Sequence, residues 1–125
     1  MSNNEMVTAV QNAIGAHGKW KFNLKMAVSN GKSDFEVAKV KRDDLCDFGK
    51  WLHGDSIDEE TKQGKPYEVV TRLHREFHEC ASQVLNLALT NNKNKADALL
   101  EGEFTHRSDT LVRALTKWKG ELQQG

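Results

Sequence analysis

PYEVVTRLHREFHECASQVLNLALTNN, residues 66–92, is the stretch whose reading decides the fold. Tyr67, Val70, Leu73, His74, Phe77, His78, Ala81, Val84, Leu85 and Ala88 recur at spacings of three and four. That is the stripe of an amphipathic helix, not the alternation of a strand. Pro66 suits the first helical turn, where its missing N–H has no intrahelical partner to lose. The spacing predicts one long helix that ends near Asn91 and Asn92. Its two histidines lie on the apolar stripe, so each needs a partner for its ring nitrogens.

Upstream, Asp55 to Lys65 reads as a polar loop. Before it, Leu45 to Leu52 reads as a short helix that Asp43 or Asp44 can cap and Gly54 stops. Asp34 to Val40 shows no clean period. Nearer the N-terminus, Val7, Val10, Ile14 and Ala16, then Trp20, Leu24, Ala27 and Val28, again keep the helical period. Gly15 and Gly18 each cost about 1 kcal/mol against Ala inside a helix. Either the helix breaks there, or small residues admit another helix or a ligand. Ser29 to Ser33 supplies turn and cap chemistry. Downstream, Lys95 to Leu100 and Ser108 to Leu122 form a final pair split around Gly102, with Leu111, Leu115, Trp118 and Leu122 on one face. The expected fold class is all-α: a four-helix bundle with a short additional helix carrying Cys46, built as one domain over residues 1–125.

Composition narrows the function. Lys plus Arg and Asp plus Glu number 18 each, so no global basic field recruits nucleic acid. Leu, Ile, Val and Phe make up about 22% of the chain, enough for a modest core. No apolar run approaches the roughly 20 residues of a membrane helix. Met1 to Glu5 has neither the basic nor the apolar part of a secretory signal. Two cysteines, Cys46 and Cys80, are too few for a disulfide scaffold. The expectation is a cytoplasmic protein with no nucleic-acid partner and no membrane insertion.

Five histidines invite a chemical reading. His74 and His78, four residues apart, project from one helix face and can reach one metal ion. They can equally be core-edge histidines with backbone or carboxylate partners. His17 sits three residues from both Ile14 and Trp20, facing the interior of its own helix. Cys46 lies on the short helix between Leu45 and Phe48. Taken together, the four offer three nitrogens and one thiolate from three helices, the closed tetrahedral set that zinc prefers. His53, seven residues after Cys46, shares its face only if the helix continues past Gly54. His106 is expected in a solvated loop. Cys80 is about 200° round the helix from His78 and points away. A Cys46–Cys80 disulfide is the rival use of both thiols. Glu101-Gly102-Glu103-Phe104 faintly matches a diguanylate cyclase loop, without the strand-rich domain that would surround it. Lys21 and Lys25 read as a solvated helix face.

His17-x-x-Trp20, then Cys46-Asp47-Phe48-Gly49-Lys50-Trp51-Leu52, then His74-x-x-Phe77-His78 resemble the chemoreceptor zinc-binding (CZB) domain. The resemblance covers roughly residues 10 to 118. It implies a bacterial four-helix-bundle sensor with one zinc ion per subunit, held by His17, Cys46, His74 and His78, usually as a homodimer. It also implies a signalling output in cis or trans, of the chemotaxis receptor or diguanylate cyclase type, and some members are thought to respond to oxidants such as hypochlorous acid. The glycines beside His17, the second cysteine and the lack of an output domain depart from the pattern. Met6 to Val10, with Trp118 and Leu122, are the expected surfaces for pairing. The rival class is a metal-independent helical dimerisation or interaction module. An enzyme is the least supported class, since no catalytic triad, phosphate loop or paired-carboxylate pocket is legible.

Overall fold

The computed structural model describes residues 3–124. Met1, Ser2 and Gly125, the ends of the expected 1–125 domain, lie outside the described residues. Three long rods form the body. The first is α1 (Asn3–Gly18) followed by α2 (Trp20–Asn30), interrupted only at Lys19. A Cβ built at Gly15 or Gly18 meets nothing within 4 Å, so neither glycine serves a close approach. The structure thus favours the helix interruption over close packing. Gly31 ends the rod at φ 69°, with its N–H bonded to the Ala27 carbonyl, a left-handed C-cap that glycine adopts without strain.

The chain then returns along the bundle through three short helices, α3 (Val37–Lys41), α4 (Asp47–Leu52) and α5 (Glu59–Lys62). α3 packs on the long helix that follows, and α4 packs on α1. Together they fill the side that a fourth long helix would occupy. α6 (Lys65–Leu89) opens with Pro66 in its first turn, as its sequence predicts. Asn91 takes φ 61° and the Asn92 N–H bonds the Leu87 carbonyl, which closes the helix and turns the chain back.

The third rod differs from expectation. α7 (Lys93–Leu99) does not stop at Gly102; it continues through a π-helical segment, Leu100–Phe104, into α8 (Thr105–Gln124). Ala96, Leu100 and Phe104 are all buried at four-residue steps, ahead of Leu111, Leu115 and Trp118. The wider π turn keeps those steps on the core face. The Thr105 hydroxyl donates to the Leu100 carbonyl at 2.8 Å, inside the widened turn. His106 therefore lies in α8, exposed, and not in a loop.

α1 and α2 run antiparallel to this rod. Lys119 donates to Gln11 at 2.6 Å near one end, and Lys21 and Lys25 pair with Glu101 near the other. The core gathers Leu24, Phe77, Leu85, Phe104, Leu111 and Leu115. Met6, Val10 and Trp118 are buried within the single chain, while Val7 and Leu122 are half-buried.

Tyr67 fastens α4 to the bundle: its hydroxyl donates to the Leu52 carbonyl at 2.8 Å, and its ring lies against Trp118. Replacing it by Phe keeps the ring and removes the bond. Tyr67→Phe is expected to lower stability by about 1 kcal/mol in urea denaturation. An unchanged midpoint would mean that packing alone holds the end of α4.

Candidate metal centre

Each of the four candidate side chains is placed by local structure. His17 is in the last turn of α1, His74 and His78 are one turn apart on α6, and Cys46 immediately precedes α4. Cys46 is itself the N-cap of α4. Its Sγ accepts from the Gly49 N–H at 3.3 Å. The expected caps are used elsewhere: Asp44 receives Arg42 at 2.8 Å, and Asp43 pairs with His53 at 3.2 Å. A Cβ at Gly49 would collide with the Asp43 carbonyl, so the 43–49 turn closes on the helix only with glycine there. The Cys-x-x-Gly spacing is the N-cap to N3 spacing, and it is the signal from which this role could have been read.

The ligand atoms of His17, Cys46, His74 and His78 all lie within 4.8 Å of one another. His74 Nε2 is 3.1 Å from the Nε2 atoms of both His17 and His78, and 3.3 Å from Cys46 Sγ. Cys46 Sγ is 3.6 Å from His78 Nε2. A tetrahedron with metal–N of about 2.0 to 2.1 Å and metal–S of about 2.3 Å has edges of roughly 3.3 to 3.6 Å. These four edges fall close to that range, and the two from His17 to His78 and Cys46 lie within 4.8 Å.

Proton counting shows which ring atoms are open to a cation. His17 Nδ1 lies 2.8 Å from the Ala13 carbonyl, and His78 Nδ1 lies 3.0 Å from the Val40 carbonyl. A carbonyl only accepts, so both Nδ1 atoms carry the proton and both Nε2 atoms present lone pairs. Those lone pairs face a third Nε2 and a sulfur in a site where the three histidines are at most 2% exposed. A cation at the centre satisfies all four donors at once. The flanking carbonyls orient two of the rings, as outer-shell partners of metal-bound histidines do.

Burial holds the metal-free imidazoles neutral, the form a cation needs. It lowers His17 from 6.5 to about 4, against the opposing pull of the Ala13 carbonyl. It lowers His74 to about 2, helped by the charges that His78 and His17 would carry. His78 is lowered by burial too, with the Val40 carbonyl opposing. Burial raises the Cys46 thiol, partly offset by the Gly49 N–H. Binding of a cation at the thiolate therefore releases a proton.

The other titratable candidates lie elsewhere. His53 is half on the surface with Asp43 and outside the cluster. Cys80 is buried on another face of α6, 4.0 Å from Glu103, and both cysteines are free thiols. Lys21 and Lys25 serve as surface ion pairs with Glu101 of the π segment. The Ala13 and Val40 carbonyls are the supporting groups that the sequence does not reveal, because backbone atoms carry no sequence signature.

Two outcomes follow from this geometry. Gly49→Ala is expected to displace the Asp43 turn, lower stability by about 2 kcal/mol or more, and weaken metal uptake at least tenfold. Calorimetry beside a chelator titration would read both, and wild-type behaviour in each would refute the steric account. In the metal-free chain, the unfolded histidines protonate near 6.5 and the folded ones much lower. Stability is thus fully present above pH 6.5 and falls below it. The share from His17, on the order of 3 kcal/mol, is lost by about pH 4. Urea midpoints that stay level from pH 7.5 to pH 5 would contradict it.

No curated protein and no solved structure is significantly similar to the chain. The family model of the chemoreceptor zinc-binding domain matches residues 17–85, just over half the chain. The match begins on His17 and spans Cys46, His74 and His78. Zinc is the metal that this family binds, and the four donors present fit it. The chain belongs to the chemoreceptor zinc-binding domain family.

Proposed function

We propose that this chain is a zinc-responsive regulatory domain whose ligands are His17, Cys46, His74 and His78. The observation that carries the reading is the convergence of lone pairs: two imidazoles with their protons committed to carbonyls face a third imidazole and a thiol in the core. Bound zinc supplies a positive centre that favours the thiolate and the neutral imidazoles. Four protein donors close a tetrahedral shell and leave no position for a substrate water, which disfavours hydrolysis.

His17, Cys46 and the His74/His78 pair then hold α1, α4 and α6 to one point. α4 is the short member, and its Trp51 ring lies 6.0 Å from Trp118 near the end of α8. Strengthening or loosening the hold on Cys46 shifts Trp51 against that helix. An output partner responds only if it distinguishes the two packings. Such a partner belongs to the chemotaxis receptor or diguanylate cyclase type, in cis or in trans, and the domain acts as a cytoplasmic homodimer.

Thiol oxidation is the second input. Cys46 is the one member of the set that is only half-buried, and it lines a cleft of about 530 Å³ between α1 and α4. Its thiolate donates an electron pair to the chlorine of hypochlorous acid and hydroxide leaves. Water then displaces chloride, with loss of a proton, to give the sulfenic acid.

Native mass spectrometry of wild type beside Cys46→Ala tests the reading. One zinc per chain is expected, weakened or lost in the variant, with one oxygen added at Cys46 after mild oxidant. A well-folded chain that takes up no zinc under reducing conditions would instead establish a metal-independent helical interaction module. Oxidation confined to Cys80 or the methionines would remove the redox input.

A further inference from the structure

Among the described residues, two buried side-chain polar atoms have no hydrogen-bond partner: Thr71 Oγ1 and His74 Nδ1. They stand three residues apart on α6, neighbours on one face. A helical side chain leans toward the preceding turn, so the His74 ring covers the turn that carries Thr71.

Each atom departs from the behaviour of its kind in this chain. Thr8, Thr110 and Thr116 lie in the long helices, and each returns its hydroxyl to the carbonyl four residues before, at 2.8 to 2.9 Å. Thr71 does not. His17 and His78 each commit Nδ1 to a carbonyl, and His74 does not. His74 is also the most deeply placed of the three, at 0% exposure, with its Nε2 closest to all the other donors.

We propose that Thr71 is the positioning residue for His74, its hydroxyl accepting the Nδ1–H that His74 must carry when its Nε2 binds zinc. The inference rests on the zinc reading above. An Nε2 that donates to a cation leaves the ring's proton on Nδ1, and a buried N–H without an acceptor costs free energy. Neither atom bonds the other in the metal-free structure, so zinc binding brings the Nδ1–H onto the hydroxyl with a turn about the Thr71 side-chain bond, and the hydroxyl's own proton then takes the Tyr67 carbonyl. Thr71 thereby gives His74 what the Ala13 and Val40 carbonyls give the other two histidines.

The test is a chelator-competition zinc titration of wild type, Thr71→Val and Thr71→Ser, with thermal unfolding of each metal-free protein. Val keeps the shape and removes the acceptor; Ser keeps the acceptor. Thr71→Val is expected to bind zinc about 10- to 100-fold more weakly, with unfolding of the metal-free form no earlier than wild type. Thr71→Ser keeps the acceptor and should stay within about threefold of wild type, well short of the 10- to 100-fold cost of losing an outer-shell partner. Equal affinity of Thr71→Val and wild type, or equal loss in both variants, would overturn the inference while leaving the zinc site standing. A wild type that binds no zinc would instead overturn the zinc reading itself. Should Thr71→Val fail to fold, nitrogen-15 NMR of zinc-loaded wild type decides. A slowly exchanging His74 Nδ1–H close to Thr71 supports the bond, and a rapidly exchanging one refutes it.

Discussion

Three neutral imidazoles with their lone pairs turned toward one another and toward a thiol form the constraint around which this molecule is arranged. Few protons are left to separate those lone pairs, and water is largely kept out of the space they share. Without a metal, a proton on His74 Nε2 and the Cys46 thiol proton are the two left to bridge the lone pairs of His17 and His78, and His74 Nδ1 then has no partner. A metal-free core of this kind is stable only because burial keeps the rings uncharged; once protonated, they would repel one another across about 3 Å. Without a metal the site is therefore incompletely satisfied, with His74 Nδ1 unpartnered, and a cation held by all four side chains would cross-link their helices.

The scaffold divides the labour unevenly. α6 is long, continuous and packed on both other rods, so the spacing of His74 and His78 is set by helix geometry and varies little. α1 ends just beyond His17, which leaves the ring at the close of a turn where its Nδ1 can reach back to Ala13. Cys46 depends on less regular structure: an extended residue, a six-residue helix, a glycine pressed on the Asp43 carbonyl and a tyrosine tether at the far end. The least regular element thus carries the most exposed donor, which is where the site can yield first.

Much of this was legible in the residues. The period of Tyr67 to Ala88 defines a buried helix face whatever surrounds it, and two histidines four apart on that face converge by geometry alone. The motifs around His17, Cys46 and His74 carry the resemblance, and the family match spans the same positions. The break expected at Gly102 is absent because four-residue apolar steps at Ala96, Leu100 and Phe104 suit a π turn, and propensity counts only the glycine's local cost. The helix cap expected at Asp43 or Asp44 passed to Cys46 because both aspartates have other side-chain partners, His53 and Arg42.

The sequence by itself determined the helical class, the apolar faces and the identity of four donors, because these follow from side-chain chemistry and from the 3.6-residue period. Only the tertiary structure decided which atoms of those donors meet, which proton each ring keeps and which chain segment closes the fourth side of the bundle. The tautomers of His17 and His78 are set by the carbonyls of Ala13 and Val40, and the reach of Cys46 by the clearance over Gly49. Backbone atoms are identical in every residue type, so where they fall becomes readable only once the helices have packed.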